Sequence, residues 1–262
     1  VPQQPLYALL TEKMQKLWTY RTNRFKPNDV PIEQYYFDKA GVYGEFGKVV
    51  CISVGFFAKP NEGENYKFRV KSFYGDDEAA VLLPFIQLLD QHFLPEHTKM
   101  CGHNITEFDV PFLARRILIN GLPMPQMFNV SSFKPWEVPF VDTMRIWKFG
   151  EYRNYTSLQL LSTVLDIPDV KNDMDGSEVA TVYWHDKNLE RIRQYCETDV
   201  LAVAQVLLRF KGQELLKEII SNGIKADYLS HVSSHDLVGM AEYCHFTSPI
   251  RRLADCVCHY LL

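Results

Sequence analysis

Three observations predict a mixed α/β fold. First, "KVVCISVGFFA" (48–58) is a dense β-branched and aromatic run, and "KFRVKSFYG" (67–75) alternates as a half-buried strand does. The turn chemistry of "KPNEGENY" (59–66) separates them, so 48–75 reads as a β-hairpin. Second, short strand patterns run directly into helical ones at two later places. Third, "NLERIRQYCETDVLAVAQVLLRF" (188–210) is the longest and clearest helical pattern. Two strands, a helix, another strand and then mostly helices, with no internal repeat and no low-complexity tract, give one mixed sheet flanked by helices.

The remaining elements follow from local rules. "PLYALLTEKMQKLWTYRTNRF" (5–25) has a helical period that places Leu6, Leu9, Leu10, Met14, Leu17 and Trp18 on one side. "DDEAAVLLPFIQLLDQHF" (76–93) opens on acidic caps and continues as a helix. "TKMCGHNI" (98–105) is a short strand entering a turn. "TEFDVPFLARRILING" (106–121) then starts a helix with Thr106 as the expected N-cap and ends it at Gly121. "PFVDTMRIWKF" (139–149) reads as strand into helix, and "SLQLLSTVLDIP" (157–168) as a short amphipathic helix stopped by proline.

Bulk properties bound the function. With 262 residues, 47% of them apolar, the chain can bury a sizeable core. The 32 acidic residues outnumber the 28 basic ones, and the net charge of −4 excludes a generic polyanion-binding surface. Contact with nucleic acid therefore requires local basic clusters or metal ions. No apolar run reaches the length of a membrane span and no signal peptide opens the sequence, so no membrane association is expected. Cys51, Cys101 and Cys196 sit far apart in apolar contexts, as buried thiols of a reducing cytoplasm do. The sequence opens on Val1 rather than methionine, so it is expected to start inside something longer or after a cleaved tag.

Two acidic positions stand out as candidates for chemistry. Asp109 lies in "GHNITEFDVPFL", just inside a helix that follows a short strand. Asp199 lies in "YCETDV", with Tyr195 one helical turn before it on the same face. "GHNITEFDVPFLARR" resembles the second motif, and "YCETDV" the third (Tyr-x-x-x-Asp), of the DEDD 3′–5′ exonucleases, tyrosine (DEDDy) branch. "FVDTMRIW", "SLQLLSTVLDIP" and "DMDGSEVATVYW" look like the bacterial group related to the proofreading domains of family-B polymerases. The resemblance covers about residues 1–215. It implies an RNase H-like fold and two Mg²⁺ or Mn²⁺ ions. It implies Asp109 and Asp199 as metal ligands, with Asp109 acting through water, and a Tyr195 hydroxyl that orients the attacking water. It also implies that Asn104 and Phe108 line the cleft for the terminal nucleotide.

Plainer readings stand beside these. A helical Tyr and Asp four apart are commonly boundary residues, and Asp109 can simply favour a helix N-terminus. His103 reads as a hydrogen-bonding turn or core residue, and "DMDG" (173–176) as a turn rather than a calcium loop. The family's first motif, Asp-x-Glu on a central first strand, is not found. Asp76 and Glu78 have the spacing but open a helix after a hairpin. The first strand is thus expected to precede Val1, leaving strand edges exposed and catalytic metal poorly held.

"YCHFTSPIRRLADCVCHYLL" (243–262) departs from this pattern and resembles a fragment of the ribonuclease II/R catalytic domain. It differs at Cys244 and Leu253, and in that family the arginine at the place of Arg251 contacts RNA phosphate. The cluster of Cys244, His245, Cys256, Cys258 and His259 fits no familiar zinc spacing. The expected division is an exonuclease domain over 1–222 and a short unrelated segment over 223–262. The leading expectation is a cytoplasmic exonuclease acting on single-stranded DNA or RNA 3′ ends. The alternatives are a non-catalytic nucleic-acid-binding remnant and a ribonuclease II-like protein.

Overall fold

The computed structural model describes residues 1–58, 67–93, 95, 98–130, 133–134, 137–153, 155–168 and 174–216, and the backbone of three later strands. The expected turn at 59–66 and nearly all of 226–262, including Cys244, Arg251, Leu253, Cys256, Cys258 and His259, lie outside the described residues.

The N-terminal apolar run is not one continuous helix. Tyr7–Leu9 forms a 3-10 turn, and α1 (Glu12–Thr22) begins again at Thr11, whose hydroxyl accepts from the Met14 N–H. The break divides the leucine stripe, so Leu6, Leu9 and Leu17 are exposed while Leu10 and Trp18 are buried. What attaches this region is aromatic. Trp18 meets Tyr36, Tyr43 and Phe46 edge-on, with ring centroids 5.4, 5.5 and 5.0 Å away. Tyr36 comes from α2 (Ile32–Lys39), a helix too short for periodicity to announce.

β1 (Cys51–Ala58) and β2 (Lys67–Tyr74) pair antiparallel from Cys51↔Tyr74 to Ala58↔Lys67, which is the expected hairpin. α3 (Glu78–His92) starts at Asp77, whose carboxylate accepts from Ala79 and Ala80. β3 (Met100–Gly102) leads to α4 (Val110–Ile119), which ends at Gly121 in the left-handed region (φ 66), as expected. β4 (Phe140–Asp142) lies parallel to β3 and runs straight into α5 (Thr143–Trp147). α6 (Leu158–Val164), α7 (Val179–Trp184) and α8 (Leu189–Phe210) follow, the first and last capped by Ser157 and Asn188.

Three later strands complete the sheets. β5 (Ile219–Lys225) lies parallel to β2, β6 (His245–Phe246) parallel to β3, and β7 (Ser248–Pro249) antiparallel to β1. The orders are β5-β2-β1-β7 and β4-β3-β6. β6 thus extends the sheet of β3 and β4, and β7 extends the sheet of β1 and β2. The whole is a mixed α/β architecture, in keeping with the RNase H-like layout. Its main core joins Ile52, Val54, Phe68, Phe85, Leu113 and Ala204, drawn from both strands of the hairpin and from α3, α4 and α8.

One buried ion pair locks this core. Arg116 of α4 bonds both oxygens of Glu78, and its third donor reaches the Gly44 carbonyl. Glu78 also accepts from the Val49 N–H at 2.6 Å and from Asn120 at 3.0 Å. Asp76 meanwhile accepts from the Tyr183 hydroxyl at 2.9 Å. The Asp76-x-Glu78 spacing is thus used for structure, as its position after the hairpin suggests.

Candidate active site

The turn after β3 positions the first carboxylate. His103 is fully buried, with Nδ1 at 2.9 Å from the Thr143 hydroxyl and Nε2 at 2.7 Å from the Thr156 carbonyl. A carbonyl only accepts, so Nε2 carries the proton. Burial lowers the pKa of this ring, and the Thr143 hydroxyl, which donates to the Gly102 carbonyl at 3.1 Å, holds the Nδ1 side of it in place. His103 is a structural hydrogen-bonding residue, as expected. Asn104 follows in the left-handed conformation (φ 67, ψ 23), which asparagine tolerates. Ile105–Asp109 then form a widened π-type turn before α4, a feature frequent at functional sites.

Thr106 does not cap the helix as expected. Its N–H and hydroxyl donate instead to Asp142 Oδ2, at 3.3 and 2.8 Å. The Asp142 Oδ1 accepts from the N–H groups of Asn104, Met144 and Arg145 at 2.9, 3.0 and 3.3 Å. This carboxylate from the end of β4 therefore clamps the π-type turn to the start of α5. Sequence reasoning missed it. The available signal was an aspartate directly before the helical "TMRIW", the pattern of an N-cap.

Asp109 is the opposite case. It is fully buried, and neither carboxylate oxygen has a hydrogen-bond partner. Burial pushes its pKa well above the usual carboxylate range, and the negative charges of Asp142 and Asp199 push it further. The residues identified on two distant segments, Asp109 and Asp199, are thus brought within electrostatic reach.

α8 places the second half. It crosses β1 and β2 through a row of specific contacts. Cys196 meets Cys51, Glu197 accepts from the Ser72 hydroxyl at 2.7 Å, and Val200 lies over Gly55. A Cβ on Gly55 would collide with the Phe68 ring and stand 2.8 Å from Val200 Cγ1. This bare backbone is what lets the helix approach. Asp199 is half-buried as a residue, but its carboxyl is enclosed enough for burial to push its pKa up to about 7. The Tyr195 hydroxyl, one turn earlier, donates to it and opposes that rise. Phe108 is half-buried, with its ring stacked on Phe112 at 5.7 Å.

A buried carboxylate with no donor, pressed by two like charges, is a natural seat for a hard divalent cation. The donor set fits such an ion in kind. Among the described residues, however, no group of three or more His, Cys, Asp or Glu is arranged to hold one. Cys51, Cys101 and Cys196 are buried thiols outside any disulfide, as expected. Among the described residues no helix is long and apolar enough to cross a membrane.

The fold and the gathered carboxylates define an exonuclease-like α/β domain. Residues 43–218 match the family described as a predicted 3′–5′ exonuclease related to the exonuclease domain of PolB, and the chain belongs to that family. Membership supports a nuclease function and a nucleic-acid substrate. Neither a curated protein nor a solved structure matches the chain.

Proposed function

We propose that the protein is a metal-dependent 3′–5′ exonuclease of the DEDDy type, acting on single-stranded DNA or RNA 3′ ends. The observation that carries this reading is the unpartnered, buried carboxylate of Asp109 beside Asp199, with the Tyr195 hydroxyl one turn away. We assign Asp109 and Asp199 as ligands of Mg²⁺ or Mn²⁺, and Asn104 and Phe108 as the walls that hold the terminal nucleotide. Bound divalent cations supply charge relief on the phosphate and a more acidic attacking water. Tyr195 holds that water for in-line attack on the terminal phosphorus. The new P–O bond forms as the bond to the preceding 3′ oxygen breaks, the proton passes to that oxygen, and a nucleoside 5′-monophosphate leaves. Three buried free thiols favour a reducing compartment, and we propose the cytoplasm.

A second reading is a nucleic-acid-binding remnant without catalysis. The lack of a three-carboxylate group among the described residues favours it. A complete site needs two more carboxylates, which we assign to an Asp-x-Glu strand, and activity is expected to be weak without one. The test is release of mononucleotides from a 5′-labelled oligonucleotide with Mn²⁺, with and without such a strand added. Asp199→Ala should abolish release. Tyr195→Phe should slow it roughly 100-fold or more with metal affinity unchanged. Undiminished cleavage by Asp199→Ala would refute the assignment, and binding without cleavage even in the completed chain would establish the remnant.

A further inference from the structure

The segment between α5 and α6 turns its aromatic residues outward. Phe149 is 86% exposed and Tyr152 96%, and Tyr155 is also exposed. Single exposed rings are ordinary, but three within seven residues, two of them the most exposed large hydrophobics among the described residues, make a patch. Basic residues alternate with them: Arg145 and Arg153 are exposed and Lys148 is partly so, against one acidic residue, Glu151. The local excess of positive charge stands out on a chain whose net charge is −4.

The segment is also held in place at both ends. On one side Asp142 caps α5, and Trp147 lies flat against Phe210 of α8, with interplanar angle 9°. On the other side the Thr156 carbonyl accepts from His103, directly before the turn that carries Asp109. Lys148 lies near enough to His103 for its charge to be felt there. Between these anchors Phe149 sits in the left-handed region (φ 45) and Gly150 follows at φ 90. A bulky residue held at positive φ is costly and is commonly kept for a use.

We propose that this loop is a stacking platform for single-stranded nucleic acid. The rings of Phe149 and Tyr152 take bases of the strand that leads to the carboxylate cleft, and Arg145, Lys148 and Arg153 take its phosphates. The proposal rests on the nuclease reading above, because it makes the loop part of the same substrate path. Alternating rings and cations suit a single strand, whose bases are open to stacking, better than a duplex, whose bases are not.

The test is fluorescence anisotropy of a labelled single-stranded oligonucleotide titrated with the full chain in EDTA, where no cleavage occurs. Phe149→Ala/Tyr152→Ala should weaken binding at least roughly fivefold, and up to a hundredfold for each ring that stacks. An oligonucleotide of abasic sites should bind the unaltered chain as weakly as the variant binds the normal one, and the variant should no longer distinguish the two. A merely structural role for the rings would not move that preference. Lys148→Ala/Arg153→Ala should flatten the dependence of log affinity on log salt by about 1.4, two phosphate contacts' worth. Equal affinity of the aromatic variant and the unaltered chain, with the abasic discrimination retained, overturns the platform and leaves the nuclease reading standing. Absence of any binding by the unaltered chain overturns the platform, and cleavage assayed with Mn²⁺ then decides the nuclease reading by itself.

Discussion

Asp109 and Asp142 are both buried aspartates a few residues' reach apart, yet their fates differ completely. Asp142 collects five donors from other residues, while Asp109 collects none from any other residue. The unpartnered one costs the fold whenever it is ionised. Its folded pKa lies above the unfolded value near 4, so its ionisation lowers stability as pH rises above that value, until the folded pKa is passed. Asp199 behaves likewise, its cost growing from about pH 4 and levelling off above about 7. Asp109→Asn should therefore raise the melting temperature of the metal-free protein by a few degrees at pH 7.5. The gain should shrink towards zero as the pH falls to 4. Thermal melts in EDTA across this range check it, and a lower melting temperature for the variant at neutral pH contradicts it. The same substitution should remove any stabilisation that Mn²⁺ gives. A site that weakens the fold until a cation arrives is the residue-level mark of function.

At the scale of elements, two contacts decide where the carboxylates sit. One is the approach of α8 to β1 over Gly55. Gly55→Ala forces a methyl into Phe68 and Val200, which should cost about 1–3 kcal/mol in urea unfolding. Because the methyl pushes on the helix that carries Tyr195 and Asp199, metal affinity should fall as well. Destabilisation without a change in metal binding would separate the contact from the site. The other contact is the Glu78–Arg116 pair, which ties α3, α4 and the start of β1 together. Arg116→Met leaves Glu78 buried without its main donor and should cost about 3–5 kcal/mol. A loss below about 1 kcal/mol would show that the pair is dispensable. The hairpin and α8 were legible in advance, because strand alternation, turn residues and helical period are local signals. α2 and the broken α1 were not. The Thr11 cap overrides the leucine period there, and Trp18 takes its partners from residues distant in sequence.

For the molecule as a whole, β7 covers Ile52 and Ser53 of β1, and β6 covers Met100 and Cys101 of β3, each in one of the two sheets. Strand edges left unpaired are sticky and exchange their amides quickly. A chain ending at Lys225 should accordingly show roughly tenfold faster amide exchange on these edges of β1 and β3, and should aggregate more readily. Unchanged protection would remove β6 and β7 from the sheets. The sequence by itself determined the mixed α/β class, the hairpin and the long helix α8, each written in spacing within one segment. Its resemblance to exonuclease motifs singled out Asp109, Tyr195 and Asp199 as candidates. Only the tertiary structure decided which aspartate is satisfied and which is left bare, and that Thr106 serves Asp142 rather than its own helix. It also decided that Asp76 and Glu78 hold the core. Hydrogen-bond donors are allotted by which segments meet in space, and local spacing carries no record of that meeting.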